Sequence, residues 1–264
     1  MKNNTYAKIS TKAFEENLMK LKNEFIDSKD FLLFLLQSLH DELNYYGNKK
    51  IVKHPKCNQF KKAEAFDFFM KVYNDTNLSI LSYNFYGISM QETECLSCHH
   101  ILYNFQFFQI ITFDLYSYKD RRFNIYLGFK DYIAKKKMTG NNQCYCQKCK
   151  KLTDSVVGSK IYCTPPYLII FFDYGKNKKY VPEEIDFGEH IDLTTFTVEE
   201  CTDRGYNLIM VNSYYKNSDK KFVSFINDRN SWFEFDDTKI SESSFEEVRK
   251  SIPAFLIFQK NKFK

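Results

Sequence analysis

Cys95-Leu96-Ser97-Cys98 and Cys146-Gln147-Lys148-Cys149 repeat one pattern, a pair of cysteines with two residues between them. A two-residue spacer lets the chain fold back so that both sulfurs of a hook face one point, and two hooks supply four thiolates. Zn²⁺ takes four thiolates tetrahedrally at about 2.3 Å, so Cys95, Cys98, Cys146 and Cys149 read as one zinc site. Two other readings of the spacing stay open: a site that has lost its metal, and a redox pair. A closed set of four leaves no open coordination position, so the expected ion is structural. It would fix a long two-pronged extension, and chemistry has to be sought elsewhere.

The flanks of the hooks are β-rich. Tyr83 to Ser89 and Ile101 to Leu115 are aromatic and β-branched and predict strands into and out of the first hook. Ile125 to Lys137, with Leu127, Phe129, Tyr132 and Ile133, predicts a helix before the second. Beyond Lys160 the chain is mostly strand: Ile161 to Phe172, Tyr206 to Tyr214, Lys221 to Ile226, Ser231 to Phe235 and Ala254 to Gln259. Toward the N-terminus the period changes to that of a helix. Phe14, Leu18, Leu21 and Phe25 fall on one face. A second helix, capped by Asp27 or Ser28, carries apolar residues from Phe31 to Leu43 around so much of its circumference that burial on more than one side is expected. Residues 44–60 read as a loop, and Ala63 to Tyr73 as a short helix.

Composition bounds the class. The 264 residues are 44% hydrophobic, with 27 Phe and 19 Tyr, against 8 Gly and 5 Pro, which predicts a folded chain with a large core. No stretch approaches the roughly 20 apolar residues of a membrane helix, and Met1 to Ser10 lacks the apolar centre of a secretory signal. The expected address is cytoplasm or nucleus, with reduced thiols; of the cysteines outside the hooks, Cys163 sits in an apolar run and reads as core. The net charge of +5 is modest, and the basic runs Lys135 to Lys137 and Lys148, Lys150, Lys151 read as solvated surface.

Taken in order, these landmarks resemble the catalytic domain of the ubiquitin-specific protease family. Phe25-Ile-Asp-Ser-Lys-Asp-Phe-Leu-Leu-Phe-Leu-Leu is similar to that family's glutamine-aspartate-x-x-glutamate-phenylalanine-leucine helix, continued by Leu39-His-Asp-Glu-Leu43. Phe85-Tyr-Gly-Ile-Ser through Cys98 resembles the strand entering the fingers, and Asn141 to Cys149 the returning hook. Ile161-Tyr-Cys-Thr-Pro-Pro-Tyr-Leu-Ile-Ile resembles a palm strand, although the usual lysine-arginine-phenylalanine ending is Asp173-Tyr174-Gly175 here. Tyr206-Asn-Leu-Ile-Met-Val, Trp232-Phe-Glu-Phe-Asp-Asp-Thr-Lys-Ile and Ala254-Phe-Leu-Ile-Phe-Gln complete the order. The resemblance implies an α+β fold of the papain-like cysteine protease superfamily, with thumb, zinc-bearing β fingers and an antiparallel palm sheet. It implies one domain over 1–264: a partial helical thumb at 1–80, fingers at 81–160 and palm at 161–264.

It also implies a chemistry, a thiolate attacking the carbonyl after ubiquitin's C-terminal glycine. A cysteine does this when an imidazole takes its proton and a third group orients that imidazole. Nothing between Met1 and Phe25 resembles the family's cysteine box, and Lys221, in Lys220-Lys221-Phe222-Val223-Ser224-Phe225, stands where the histidine should be. Asp236 matches the third position, with Asp237 beside it; the five histidines, His40, His54, His99, His100 and His190, fall elsewhere in the order. A lysine with a reference pKa of about 10.4 is protonated near neutrality and has no lone pair to serve as base.

The favoured reading is therefore a catalytically inactive, ubiquitin-binding pseudo-deubiquitinase, with ubiquitin or a ubiquitin-like protein as partner, no membrane, and a host protein complex as a further expectation. Asp27, Asp30 and Asp237 are the expected ubiquitin contacts; Asp27 reads equally as a helix cap. One alternative is an active deubiquitinase whose cysteine box lies outside this chain or on another. A second is a zinc-stabilised scaffold or nucleic-acid binder, disfavoured because 38 basic residues stand against 33 acidic ones without evident concentration.

Overall fold

A computed structural model describes residues 12–21, 28–47, 61–176, 179–215, 218–237 and 239–261, with the backbone alone for 215 and 218–221. The chain separates into two compact units, residues 1–38 and 39–264. In the first, α1 (Lys12–Leu21) buries none of its residues, and Phe14 and Leu21, on its apolar face, are 53% and 72% exposed. Phe25 lies outside the described residues. Helix α2 (Ser28–Leu43) spans the division. Its buried residues are Leu36 and His40, one turn apart, while Leu43 is exposed. Phe31, Leu32, Phe34, Leu35 and Leu39 are half-buried, so cover extends to more than one side of the helix, as the spread of its apolar residues predicts.

In the second unit α3 (Lys62–Asn74) and the short α4 (Ile80–Phe85) precede the sheets. The expected strand from Tyr83 is helical as far as Phe85, because Ser79 caps α4: its Oγ accepts from the N–H groups of Leu81 and Ser82, and Ser82 Oγ accepts from the N–H of Ser79. Then follow β1 (Gly87–Cys95), β2 (Ile101–Phe108), β3 (Ile110–Asp114), β4 (Arg122–Asn124), α5 (Ile125–Tyr132), β5 (Lys136–Met138), β6 (Cys144–Cys146), β7 (Lys151–Thr153), β8 (Ser155–Cys163) and β9 (Tyr167–Asp173). The chain closes with β10 (Glu184–Asp186), β11 (His190–Asp192), β12 (Gly205–Tyr215), β13 (Ser218–Asp228), β14 (Ser231–Asp236), β15 (Lys239–Ser243), α6 (Phe245–Arg249) and β16 (Ile252–Lys260).

Two sheets carry the architecture. The smaller has the order β2-β1-β8-β5 and forms the extension that ends in the hooks. The larger runs β15-β14-β13-β12-β16-β9-β3, with β11 on β12. It is antiparallel, as expected, except that β3 lies parallel to β9. Two runs expected as single strands each divide between these sheets. Ile101 to Leu115 breaks at Gln109 into β2 and β3, and Ile161 to Phe172 breaks at Thr164-Pro165-Pro166 into β8 and β9. Proline has no N–H for a ladder, so the second break falls where the chemistry requires it. The predicted helix from Ile125 ends at Tyr132, and Lys136 and Lys137 join β5 instead.

The core explains the continuous apolar run of β9. Leu168, Ile170 and Phe172 face one side, packed with Ile111 and Phe113 of β3 and Leu256 and Phe258 of β16; Ile169 and Phe171, on the other side, are buried as well. Helix α5 presses on this core through Gly128, where a Cβ would stand 2.6 Å from the Phe113 ring. A smaller core joins α3 to the finger sheet through Ala65, Ile88, Met90 and Phe105. Cys163, expected in the core, is exposed, because it ends β8 just before the proline pair.

Candidate functional site

Both hooks fold alike. His99 N–H donates to the carbonyl of Cys95 at 2.8 Å, and Lys150 N–H to that of Cys146 at 2.8 Å. Both donors sit in the left-handed region, with φ of 54° and 58°. Each chain therefore turns back one residue past its second cysteine. The hooks are tied together by Leu96 N–H donating to Asp154 O at 2.9 Å. The hairpin of β6 and β7 carries the second hook, and the turn between β1 and β2 the first.

The four Sγ atoms of Cys95, Cys98, Cys146 and Cys149 all lie within 4.8 Å of one another. Cys98 and Cys146 are 3.7 Å apart and Cys95 and Cys149 3.9 Å. Tetrahedral bonds of about 2.3 Å set sulfurs about 3.8 Å apart, so the cluster fits an ion of that preference. The electrostatics agree. Thr153's hydroxyl, then the backbone N–H groups of Ser97 and Cys98, draw the Cys95 thiol down to about 6. Cys149 is pushed up to about 12, chiefly by the neighbouring thiol of Cys98. Four crowded thiolates repel one another, and a dication removes that conflict. Among the described residues this is the one such group of three or more Cys, His, Asp or Glu side chains.

The expected catalytic remnants lie at the end of the β13–β14 ladder. Asp236 closes β14, opposite Lys239 of β15. It is half-buried, and its carboxylate makes no hydrogen bond or ion pair with a described residue. The ladder pairs Ser224 with Phe235. One further step of that register sets position 223 opposite Asp236, and position 221 shares a face with 223. The side chain of Lys221 lies outside the described residues. Asp237 is exposed, with φ of 51° in the turn to β15.

Asp30 occupies the first turn of α2, where a carboxylate complements the helix dipole. Asp27 lies outside the described residues. Asp173-Tyr174-Gly175 forms a turn: Asp173 Oδ1 accepts from Gly175 N–H at 2.8 Å, and Gly175 has φ of 70°. Tyr174 is buried and donates its hydroxyl to Pro253 O at 2.7 Å; burial raises its phenol well above the ordinary value.

Two partners of the site carry no spacing signal. Thr153 Oγ1 lies 3.2 Å from Cys95 Sγ, beside the four-cysteine cluster. Trp232, buried on β14, donates from Nε1 to Glu189 Oε1 at 2.8 Å, which fixes the strand that ends in Asp236.

A finger-like sheet closed by four cysteines and rooted on a large, mainly antiparallel sheet defines an α+β domain of the ubiquitin-specific protease type. The sequence profile described as ubiquitin carboxyl-terminal hydrolase matches residues 1–258, and the chain belongs to that family. It is 27% identical over 181 residues to ubiquitin carboxyl-terminal hydrolase 5 of Saccharomyces cerevisiae, covering 64% of this chain and 22% of that protein. It is 25% identical over 255 residues to ubiquitin carboxyl-terminal hydrolase 4 of Arabidopsis thaliana, covering 88% of this chain and 67% of that protein. The fold is shared with a chain of the solved SAGA Ubp8/Sgf11/Sus1/Sgf73 DUB module, at a TM-score of 0.71 and 17% identity, over 96% of this chain and 55% of the other. This chain thus spans about a fifth of the yeast relative and just over half of the solved chain.

Proposed function

We propose that this domain binds ubiquitin or a ubiquitin-like protein and does not hydrolyse its C-terminal bond. The observation that carries the reading is Lys221, on β13 at the position that the resemblance gives to the general base. A protonated ammonium cannot take a proton from a thiol, whatever chain supplies that thiol. The half-buried carboxylate of Asp236, which has no partner among the described residues, fits the third position of a triad whose second member has been replaced.

Zinc completes the proposal. The four thiolates hold one ion, which locks the hooks and supplies rigidity to the fingers rather than chemistry. Asp30 and Asp237 are the proposed ubiquitin contacts among the described residues, with Asp27 as a third outside them.

Calorimetric titration with ubiquitin, run beside a fluorogenic ubiquitin C-terminal amide assay, tests the reading. Saturable binding with no turnover supports it. Turnover that depends on one cysteine would establish the active alternative, and absence of binding by zinc-loaded protein would leave a scaffold.

A further inference from the structure

The excess positive charge of the chain is local. Residues 125–154 hold Lys130, Lys135 to Lys137, Lys148, Lys150 and Lys151 against Asp131 and Asp154, a net of +5 that equals the charge of the whole chain. The rest of the sequence sums to zero. What looks dilute as 38 basic against 33 acidic residues is gathered on one prong of the fingers. Strand β5 is an outer strand of the finger sheet, pairing with β8, and the chain passes from it into the β6–β7 hairpin that bears the second hook.

These lysines are uncompensated. None of them makes an ion pair with a described acidic residue. Asp131 accepts from the Tyr118 hydroxyl at 2.7 Å, and Asp154 from Gln143 Nε2 at 2.8 Å, so both local carboxylates are engaged elsewhere. Lysines on an outer strand oppose edge-to-edge pairing, which accounts for Lys136 and Lys137. It does not account for Lys148, Lys150 and Lys151 on the hairpin. Nor does it account for Tyr145 and Leu152, cross-strand partners in β6 and β7 that share a face and are 57% and 59% exposed.

We infer that the second prong is a docking surface for an acidic protein segment that carries an apolar anchor. Carboxylates of the segment meet the lysines, and its apolar side chain covers Tyr145 and Leu152. Nucleic acid fits less well. The stretch contains no arginine to fork onto phosphate or base, and Leu152 offers no stacking face. The inference does not rest on ubiquitin binding.

Fluorescence anisotropy with the full, zinc-loaded chain tests it, using a short labelled peptide of glutamates interrupted by leucines and, in parallel, a single-stranded oligonucleotide of equal charge. Peptide binding is expected to weaken with salt. It should fall about tenfold or more in the triple variant Lys148→Glu, Lys150→Glu, Lys151→Glu, and again in Leu152→Ser. Because two of those lysines adjoin metal ligands, zinc content is measured for each variant. Lys135→Glu, Lys136→Glu, Lys137→Glu, away from the hooks, must weaken binding too. Tighter binding of the oligonucleotide with the same sensitivities would overturn the inference in favour of nucleic acid. Binding of neither probe would overturn it outright.

Discussion

Thr153 Oγ1 lies 3.2 Å from Cys95 Sγ, and both residues are buried. The hydroxyl has one proton to give and two acceptors within reach, the sulfur and Cys144 O at 3.4 Å. A thiolate is the stronger acceptor, so the proton is directed at Cys95. A residue of β7, on the second prong, thereby orients a ligand of the first and lowers the cost of ionising it.

Thr153→Val removes that donor while keeping the shape of the side chain. Zinc affinity, measured by chelator competition, is expected to fall about 10- to 100-fold, as it does when partners of metal ligands are lost elsewhere. Thr153→Ser should retain most of it. Equal affinity in the valine variant would remove the orienting role.

Stripping the metal should loosen the fingers and leave the large sheet intact. Strands β6 and β7 have three residues each, too few for an isolated hairpin to persist in water. Hydrogen exchange after chelation is expected to accelerate at 95–100 and 144–154, with little change in β9, β12 and β16. Unchanged protection at the hooks would show that the metal does not hold them.

Gly128→Ala places a Cβ 2.6 Å from the Phe113 ring, itself packed edge-on against Phe129 at 5.1 Å. The ring is buried in an aromatic cluster with Phe123, Phe129 and Phe172, so moving it disturbs those contacts. A loss of about 1–3 kcal/mol in urea unfolding is expected. A neutral result would mean that α5 shifts away from β3 without cost.

Ser79 is a second point of tension in the packing. Its Oγ accepts from Leu81 and Ser82 N–H, which uses both lone pairs, so its proton goes to Nδ1 of buried His40 at 2.7 Å. Ser79→Ala therefore loses a cap and leaves a buried nitrogen unpaired. The expected cost is about 1–3 kcal/mol, read from the same urea curves, with Ser79→Thr much milder. A cost below about 0.5 kcal/mol would contradict the shared role of this hydroxyl.

What could be seen in the sequence follows from how local each signal is. The hooks are legible because ligand spacing is a property of four consecutive residues, and the strands from Tyr206 onward because alternation is local as well. The division of Ile101 to Leu115 between two sheets is not, since Gln109 carries no turn signature and the switch is imposed by β9 offering an edge to Ile110. Helix α4 is hard to read because Tyr83 and Phe85 suit a strand, while its start depends on a capping box of two serines, Ser79 and Ser82. At the site, Asp236 and Lys221 can be placed by order along the chain. The hold of Thr153 on Cys95 needs the third dimension. The lysines of the second prong are legible as short runs and read as solvated surface; that residues 125–154 hold the whole net charge of +5 is lost when charge is averaged over 264 residues.

Ubiquitin bearing a thiol-reactive C-terminal electrophile probes the proposed lack of a working base at position 221. Intact mass after incubation with folded, zinc-loaded protein should show no adduct under conditions where unmodified ubiquitin binds. An adduct mapped to a single cysteine would contradict the account and identify a nucleophile activated without an imidazole at position 221.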